Sequence, residues 1–211
     1  MKREELLKQK LDNITTIERE LWTKGIQMAG IDEVGRGPLA GPVVAACVVM
    51  PEQPLVLGVD DSKKLSAKRR EELYQQILDT ALYIGIGVVD HHEIDDINIL
   101  NATKKAMCIA YDSIEHTPDI VLVDAVTLPL PCPVEAIIKG DSKSYSIAAA
   151  SIVAKVTRDN IMMEADTLYP NYGFSQHKGY GTKAHITSIL EYGACPLHRR
   201  SFLKNILHNH E

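Results

Sequence analysis

The chain has 211 residues, of which 45% are hydrophobic, and carries a formal net charge of −5 at pH 7. This length suffices for one well-buried core, and no apolar run of about 18 residues occurs, so we expect a globular protein without a membrane span. Residues 1–8 alternate in charge without an apolar core, which argues against a secretion signal and predicts a cytoplasmic location.

The charge is unevenly distributed along the chain. Residues 1–138 carry 14 basic and 22 acidic side chains, whereas residues 139–211 carry 9 basic and 6 acidic ones. Only a local basic surface is therefore possible, and strong non-specific binding to duplexes is not expected. The four cysteines form no C-x-x-C pair, which predicts a reduced protein without a zinc site.

An apolar stripe at spacings of mostly three and four predicts a helical extension over residues 1–24, ahead of a main domain over residues 25–211. The stripe consists of Leu6, Leu7, Leu11, Ile14, Ile17, Leu21 and Trp22. Packing of this extension on the main domain is one interpretation, and binding of a partner protein is the other.

The first half of the main domain predicts three strands and one helix. Apolar runs over residues 26–31, 43–50 and 82–89 are typical of buried strands and suggest an antiparallel meander. Gly85 and Gly87 weaken the third run and indicate close packing or a bulge. Ser66 is a suitable N-cap for a helix over residues 67–80.

The second half alternates helices and strands. Helical periodicity covers residues 97–115, 146–165 and 183–192, and a short helix begins near residue 197 in the tail over residues 196–211. Strand-like runs cover residues 119–124 and 134–139. The loop over residues 169–181 carries Tyr180 between two glycines, and we expect this loop to be mobile.

Acidic residues recur at the C-terminal ends of apolar strands. Asp32 and Glu33 follow the first strand, Asp124 ends the fourth and Asp141 follows the fifth. Such ends lie side by side in mixed α/β sheets and bind ligands. Because neighbouring strand residues point to opposite faces, Asp32 and Glu33 can serve one site only if the strand ends or bulges at Glu33.

Four carboxylates at one site repel one another unless cations lie among them. A ligand set of oxygen atoms alone favours Mg²⁺ or Mn²⁺ over zinc. Two such ions could clamp a phosphodiester, which predicts a two-metal hydrolase.

The chain resembles the bacterial ribonuclease HII family, or type 2 ribonuclease H. The segments that carry the resemblance are residues 32–43, 61–65, 122–124, 139–141, 148–159, 178–180 and 198–202. The resemblance implies an α/β fold of the ribonuclease H type, with a mixed five-stranded sheet flanked by helices and additional C-terminal helices. It also implies metal-dependent cleavage of the RNA strand of RNA–DNA hybrids, and cleavage 5′ of ribonucleotides embedded in duplex DNA, leaving a 3′-hydroxyl and a 5′-phosphate.

The resemblance also implies roles for individual residues. Asp32, Glu33, Asp124 and Asp141 match the catalytic, metal-binding carboxylates of the family. The loop formed by Gly35, Arg36 and Gly37 matches the segment that senses the 2′-hydroxyl. Tyr180 matches the tyrosine that stacks on the following deoxyribose. A surface or core role is the alternative for this tyrosine.

Further polar residues are candidates for contacts with nucleic-acid phosphates: Ser62, Lys63, Lys64, Lys143 and Lys178. His198, Arg199 and Arg200 either face phosphate or serve the structure. Asp159 either supports the metal site or pairs with Lys155. The partners we expect are an RNA–DNA hybrid and ribonucleotide-containing duplex DNA, bound by a monomer. A hybrid-binding protein without activity and a junction resolvase are the alternative functions.

Overall fold

The computed structural model describes residues 2–208 and places a five-stranded sheet between two helical layers. The strands lie in the order β3-β2-β1-β4-β5. Strands β1, β2 and β3 pair antiparallel, and β4 and β5 extend the sheet parallel to β1. The predicted mixed sheet and its meander are confirmed. The strand bounds are β1 (Met28–Val34), β2 (Val43–Val49), β3 (Tyr83–Val89), β4 (Ile120–Asp124) and β5 (Val134–Ile137).

Eight helices lie within the described residues, and none of them is long and apolar enough to cross a membrane. They are α1 (Lys2–Ile14), α2 (Thr16–Trp22), α3 (Ala67–Thr80), α4 (His91–Asp112), α5 (Tyr145–Leu168), α6 (Phe174–His177), α7 (Lys183–Tyr192) and α8 (Arg200–His208). The predicted tail helix is therefore present as α8, and residues 209–211 lie outside the described part of the chain.

Helix α3 has the predicted bounds, and its cap Ser66 accepts a hydrogen bond from the Arg69 amide. The prediction for α4 was wrong at its start, because the helix begins at His91 with Asp90 as its cap. Asn98, with a φ of 69°, interrupts α4. Its side chain accepts the amides of Leu100 and Asn101, so the predicted helix corresponds to the segment after this break.

The helical layers approach the sheet closely where the strands carry glycine. A Cβ atom on Gly87 would lie 1.9 Å from the carbonyl oxygen of Ala106 in α4. The pairing of β2 with β3 is continuous from Val43 and Val89 to Val49 and Tyr83. Close packing, and not a bulge, therefore explains the glycines of β3.

Gly30→Ala should destabilise the fold by at least about 3 kcal/mol, because overpacking against a rigid neighbour strains the core. A Cβ at Gly30 would lie 2.1 Å from the backbone carbon of Ser146, at the start of α5. Gly181→Ala is the control, since its Cβ would meet the flexible Leu39 side chain at 3.2 Å. Urea denaturation measures the free energy of unfolding of both variants. A Gly30→Ala variant whose free energy of unfolding lies within 1 kcal/mol of the wild-type value would refute the packing argument.

The stripe over the N-terminal residues forms two helices, α1 and α2, that meet at Thr15. Glu18 of α2 is fully buried. Its Oε1 accepts hydrogen bonds from the Ser144 hydroxyl at 2.5 Å and from the Ser146 amide at 2.9 Å. Helix α2 therefore packs on the first turn of α5, while the domain division at residue 24 stays a prediction.

Candidate active site

Four carboxylates lie at one edge of the sheet. Asp32 and Glu33 belong to β1, Asp124 ends β4, and Asp141 lies in a 3₁₀ turn over Gly140–Ser142 that follows β5. These three strands are parallel, so their C-terminal ends lie side by side. Asp32 and Asp141 are buried, whereas Glu33 and Asp124 are partly exposed.

Strand β1 does not break at Glu33, so that prediction was wrong. The strand pairs with β2 in regular register up to Val34 and Val44. Its pairing with β4 ends earlier, at Ile31 and Val123, which leaves the last residues of β1 at an open end of the sheet. Asp32 and Glu33 start on opposite faces, and the charge of Asp124 nevertheless raises the pKa of both.

Hydrogen bonds orient two of the carboxylates. Asp32 Oδ1 accepts the Glu33 amide at 2.8 Å, and Asp124 Oδ1 accepts the Gly140 amide at 2.8 Å. Ser151 of α5 lies near Asp32 and acts against the rise in the pKa of Asp32 that burial causes. Ser62, predicted to contact substrate, is buried with its Oγ 2.9 Å from Ser151 Oγ, so it supports the wall behind Asp32.

The carboxylates oppose one another's ionisation. Burial, together with the charges of Glu33 and Asp124, raises the pKa of Asp32 well above its usual value. Burial also raises the pKa of Glu33, although the Arg36 guanidinium, 3.5 Å away, acts against this rise. Burial, Asp61 and Asp124 raise the pKa of Asp141. The edge therefore concentrates negative charge with few counter-charges.

The donor set at this edge fits a divalent cation. All four predicted ligands offer carboxylate oxygens, which hard cations such as Mg²⁺ and Mn²⁺ prefer. A bound cation would relieve the mutual repulsion that raises these pKa values. Within the described residues, no three or more histidine, cysteine, aspartate or glutamate side chains lie close enough together to hold a metal ion as they stand.

Arg199, which is completely buried, supports the glycine loop over residues 35–41 that follows the acids. Its guanidinium donates to the carbonyl oxygens of Gly35 at 2.6 Å, Arg36 at 3.1 Å and Gly41 at 2.8 Å and 2.9 Å. Burial and the neighbouring charge of Arg158 lower the pKa of Arg199 to about 9. Two roles were predicted for Arg199, contact with phosphate and support of the fold. Its buried hydrogen bonds show that it supports the fold.

The direction of these carbonyls orients the amides of the loop. In a trans peptide the N–H points opposite to the C=O of the preceding residue. The carbonyls of Gly35 and Arg36 point to Arg199, so the amides of Arg36 and Gly37 point away from it. In the described part of the chain neither amide has a hydrogen-bond partner, and both can donate to a ligand.

Arg158 of α5 joins this loop to the segment that carries Tyr180. The buried guanidinium donates to the carbonyls of Pro42 at 2.9 Å, Ala40 at 3.1 Å and Lys178 at 2.9 Å. A Cβ on Gly37 would lie 3.8 Å from the Tyr180 ring, which is 39% exposed. The predicted ribose sensor and the predicted stacking ring are thus adjacent.

The backbone around Tyr180 is hydrogen-bonded on both sides of the residue, while the mobility of its loop stays a prediction. The Leu39 amide donates to the Gly179 carbonyl at 2.8 Å, and the Thr182 amide donates to the Tyr180 carbonyl at 2.8 Å. The Tyr180 amide donates to the carbonyl of His177 at 3.0 Å. These backbone hydrogen bonds explain how a segment without regular secondary structure can present the Tyr180 ring in a defined place.

Comparison with known proteins decides the family. The family model described as ribonuclease HII matches residues 29–205. The chain belongs to the ribonuclease HII family. It is 55% identical to ribonuclease HII of Enterococcus faecalis over 90% of this chain and 74% of that protein. It is also 55% identical to the Clostridioides difficile enzyme over 94% of this chain and 79% of that protein.

A solved structure shows the same fold. The ribonuclease H2 of Pyrococcus horikoshii aligns with a TM-score of 0.72 and 28% identity, over 87% of this chain and 98% of that one. Family membership makes the chain an endoribonuclease that acts on RNA–DNA hybrids. The ribonuclease H fold predicted from the sequence is confirmed.

The lysines predicted to contact phosphate take different positions in the structure. Lys63 Nζ lies 3.7 Å from Asp141 Oδ2, and Lys64 Nζ lies 3.6 Å from both Asp60 and Asp61. Lys143 is exposed, whereas the Lys178 ammonium donates to the carbonyl of Ser175. Contacts of these lysines with phosphate stay a prediction.

Several residues that shape the site were missed by sequence reasoning. Asp61 adds a fifth acidic charge beside Asp141, and its position next to Ser62 in a recognisable motif was the available signal. Ser151 lies in the segment over residues 148–159 that carries the resemblance, which was likewise the available signal. Asp159 pairs with Lys155 at 2.6 Å and with Arg70 at 3.4 Å, which favours the second of its two predicted roles.

Proposed function

We propose that this protein cleaves 5′ of ribonucleotides embedded in duplex DNA, as well as the RNA strand of hybrids, and leaves a 3′-hydroxyl and a 5′-phosphate. The observation that carries the proposal is the convergence of three groups at one sheet edge. These groups are the four carboxylates, the outward amides of Arg36 and Gly37, and the Tyr180 ring.

Asp32, Glu33, Asp124 and Asp141 would hold two Mg²⁺ or Mn²⁺ ions. Such ions, when bound, activate water for attack on a phosphodiester and stabilise charge on the leaving oxygen. The protein supplies orientation, because the Glu33 amide fixes Asp32 and the Gly140 amide fixes Asp124. Water, and not a side chain, is the nucleophile.

Recognition of the ribonucleotide falls to the loop over Gly35–Gly37. Only the 2′-hydroxyl distinguishes RNA from DNA at a single nucleotide. The amides of Arg36 and Gly37 can donate to that oxygen, and the absence of a Cβ at Gly37 lets the sugar approach the backbone. Arg199 keeps both amides directed outward, so the sensor is in place before the substrate binds.

Tyr180 supplies the second half of the selectivity. A flat aromatic ring packed against a deoxyribose accepts a hydrogen at the 2′ position but leaves little room for a hydroxyl. The ring lies beside Gly37, so it would contact the nucleotide that follows the recognised ribose. Together the two contacts favour an RNA–DNA junction over continuous RNA.

Tyr180→Ala should lower kcat/KM at a single embedded ribonucleotide about 10- to 100-fold, because stacking on an aromatic ring contributes about 1–3 kcal/mol. The loss on a continuous RNA–DNA hybrid should be smaller, and Tyr180→Phe should retain junction cleavage. Steady-state kinetics on both substrates provide the test. Equal losses of Tyr180→Ala on both substrates would contradict the proposed stacking role.

A further inference from the structure

Three histidines converge behind the Tyr180 loop, although their spacing in the sequence matches no metal-binding motif. The rings of His177 and His185 stack with their centroids 4.4 Å apart. His185 Nε2 lies 3.0 Å from His198 Nε2. His185 is fully buried and His198 is 3% exposed. The family's proposed chemistry assigns no role to this cluster.

The partners of the rings determine which nitrogen atoms carry hydrogen. His185 Nδ1 lies 3.0 Å from the Tyr180 carbonyl oxygen, which can only accept, so this nitrogen is protonated. A neutral His185 therefore accepts at Nε2, and His198 must donate from its own Nε2. His198 Nδ1 then accepts the Cys195 amide at 2.9 Å and makes no hydrogen bond to the Cys195 carbonyl oxygen 3.2 Å away, which accepts the His198 amide instead.

These bonds form a directed relay. The Cys195 amide donates to His198, His198 donates to His185, and His185 donates to the carbonyl of Tyr180. Every donor in the relay meets one acceptor, which is the arrangement that a buried polar network requires. Reversal of one ring would place two N–H groups or two lone pairs against each other.

His177 fixes Gly179, the residue before Tyr180, in a similar way. Its Nε2 donates to the carbonyl of Tyr172 at 2.7 Å, so its Nδ1 accepts the Gly179 amide at 3.2 Å. Histidines therefore fix the backbone on both sides of the peptide that joins Gly179 to Tyr180. Gly179 has a φ of 84° and Lys178 has a φ of 52°, an unusual backbone path that such bonds can maintain.

The surroundings keep the relay neutral. Tyr172 and Phe174 pack against the histidine rings, with ring centroids 5.2 Å and 5.9 Å from His198. Burial lowers the pKa of His185 to about 4 and also lowers the pKa of His198. At neutral pH both rings are therefore uncharged, as the relay requires.

We propose that His185 and His198 are positioning residues for Tyr180. Their hydrogen-bonded pair fixes the Tyr180 carbonyl and thereby the place of its ring at the junction. The inference rests on the proposed stacking role of Tyr180. Neither histidine touches the substrate in this scheme, so their effect must appear as a change in selectivity.

Two substitutions of His198 separate this role from general packing. His198→Gln places an amide nitrogen near the position of Nε2 and can still donate to His185, whereas His198→Asn replaces only the acceptor near Nδ1. The readout is kcat/KM for a single embedded ribonucleotide divided by kcat/KM for a continuous hybrid. We expect His198→Asn to lower this ratio roughly tenfold, as the loss of one buried hydrogen bond implies, and His198→Gln to stay within threefold of wild type.

An unchanged ratio in His198→Asn, or equal losses in both variants, would overturn the inference. Thermal unfolding of each variant shows whether it is folded. If neither variant folds, ¹⁵N shifts of the wild-type histidines give an independent test. They should show the Nδ1–H form of His185 and the Nε2–H form of His198, and the opposite forms would overturn the relay. A wild-type enzyme that does not favour the junction would instead refute the role of Tyr180.

Discussion

Asp124→Asn should lower kcat by at least about 10³-fold, since loss of a metal-binding carboxylate removes several kcal/mol of transition-state stabilisation. The fold should remain intact. An asparagine oxygen can still accept the Gly140 amide that Asp124 binds at 2.8 Å. Removal of the charge also ends a repulsion that raises the pKa of Asp32 and Asp141, so the free energy of unfolding should stay the same or rise.

Asp112→Asn is the matched control, because Asp112 is an exposed carboxylate at the end of α4. That variant should keep the wild-type kcat. Single-turnover cleavage with Mg²⁺ or Mn²⁺ measures both variants, and urea denaturation measures their stability. An Asp124→Asn enzyme with undiminished turnover would refute the assignment of Asp124 as a metal ligand.

Arg199→Met should destabilise the protein by about 3–5 kcal/mol, because each buried carbonyl that loses its donor costs about 1–3 kcal/mol. The variant leaves the carbonyls of Gly35, Arg36 and Gly41 without the guanidinium. Without that anchor the peptides after Gly35 and Arg36 can rotate. Discrimination between RNA and DNA should therefore fall in whatever fraction remains folded.

Arg200→Met separates this effect from a general loss of positive charge. Arg200 is the next residue, its side chain is exposed, and its backbone amide keeps its bond to Asp95. The free energy of unfolding of the Arg200→Met variant should differ from the wild-type value by no more than about 0.5 kcal/mol. Arg199→Lys keeps the charge but lacks the planar fork, so it should be intermediate. Equal stability of Arg199→Met and Arg200→Met would exclude the anchoring role of Arg199.

Local patterns predicted much of the fold. Helices α3 and α7 have sequence-visible caps in Ser66 and Thr182, and both caps accept the expected amide. The acidic residues that end apolar strands were predicted to lie at one edge, because parallel strands end side by side. Periodicity and capping are short-range properties, so a sequence displays them directly.

The remaining features depend on contacts between distant segments. The continuity of β1 through Glu33 follows from where β4 ends, which the sequence around Glu33 does not contain. Arginine is normally exposed, so the sequence around Arg199 did not predict its complete burial under a glycine loop. The relay between His185 and His198 likewise forms only when α7 and the segment before α8 pack together.

The most direct measurement is cleavage, with Mg²⁺ or Mn²⁺, of a DNA duplex that carries one ribonucleotide, beside the same duplex made of DNA alone. We predict a single cut on the 5′ side of the ribonucleotide, with a 3′-hydroxyl and a 5′-phosphate on the products, and no cut in the all-DNA duplex. A protein that binds the first duplex without cutting it, or that cuts both duplexes equally, would contradict the proposed function.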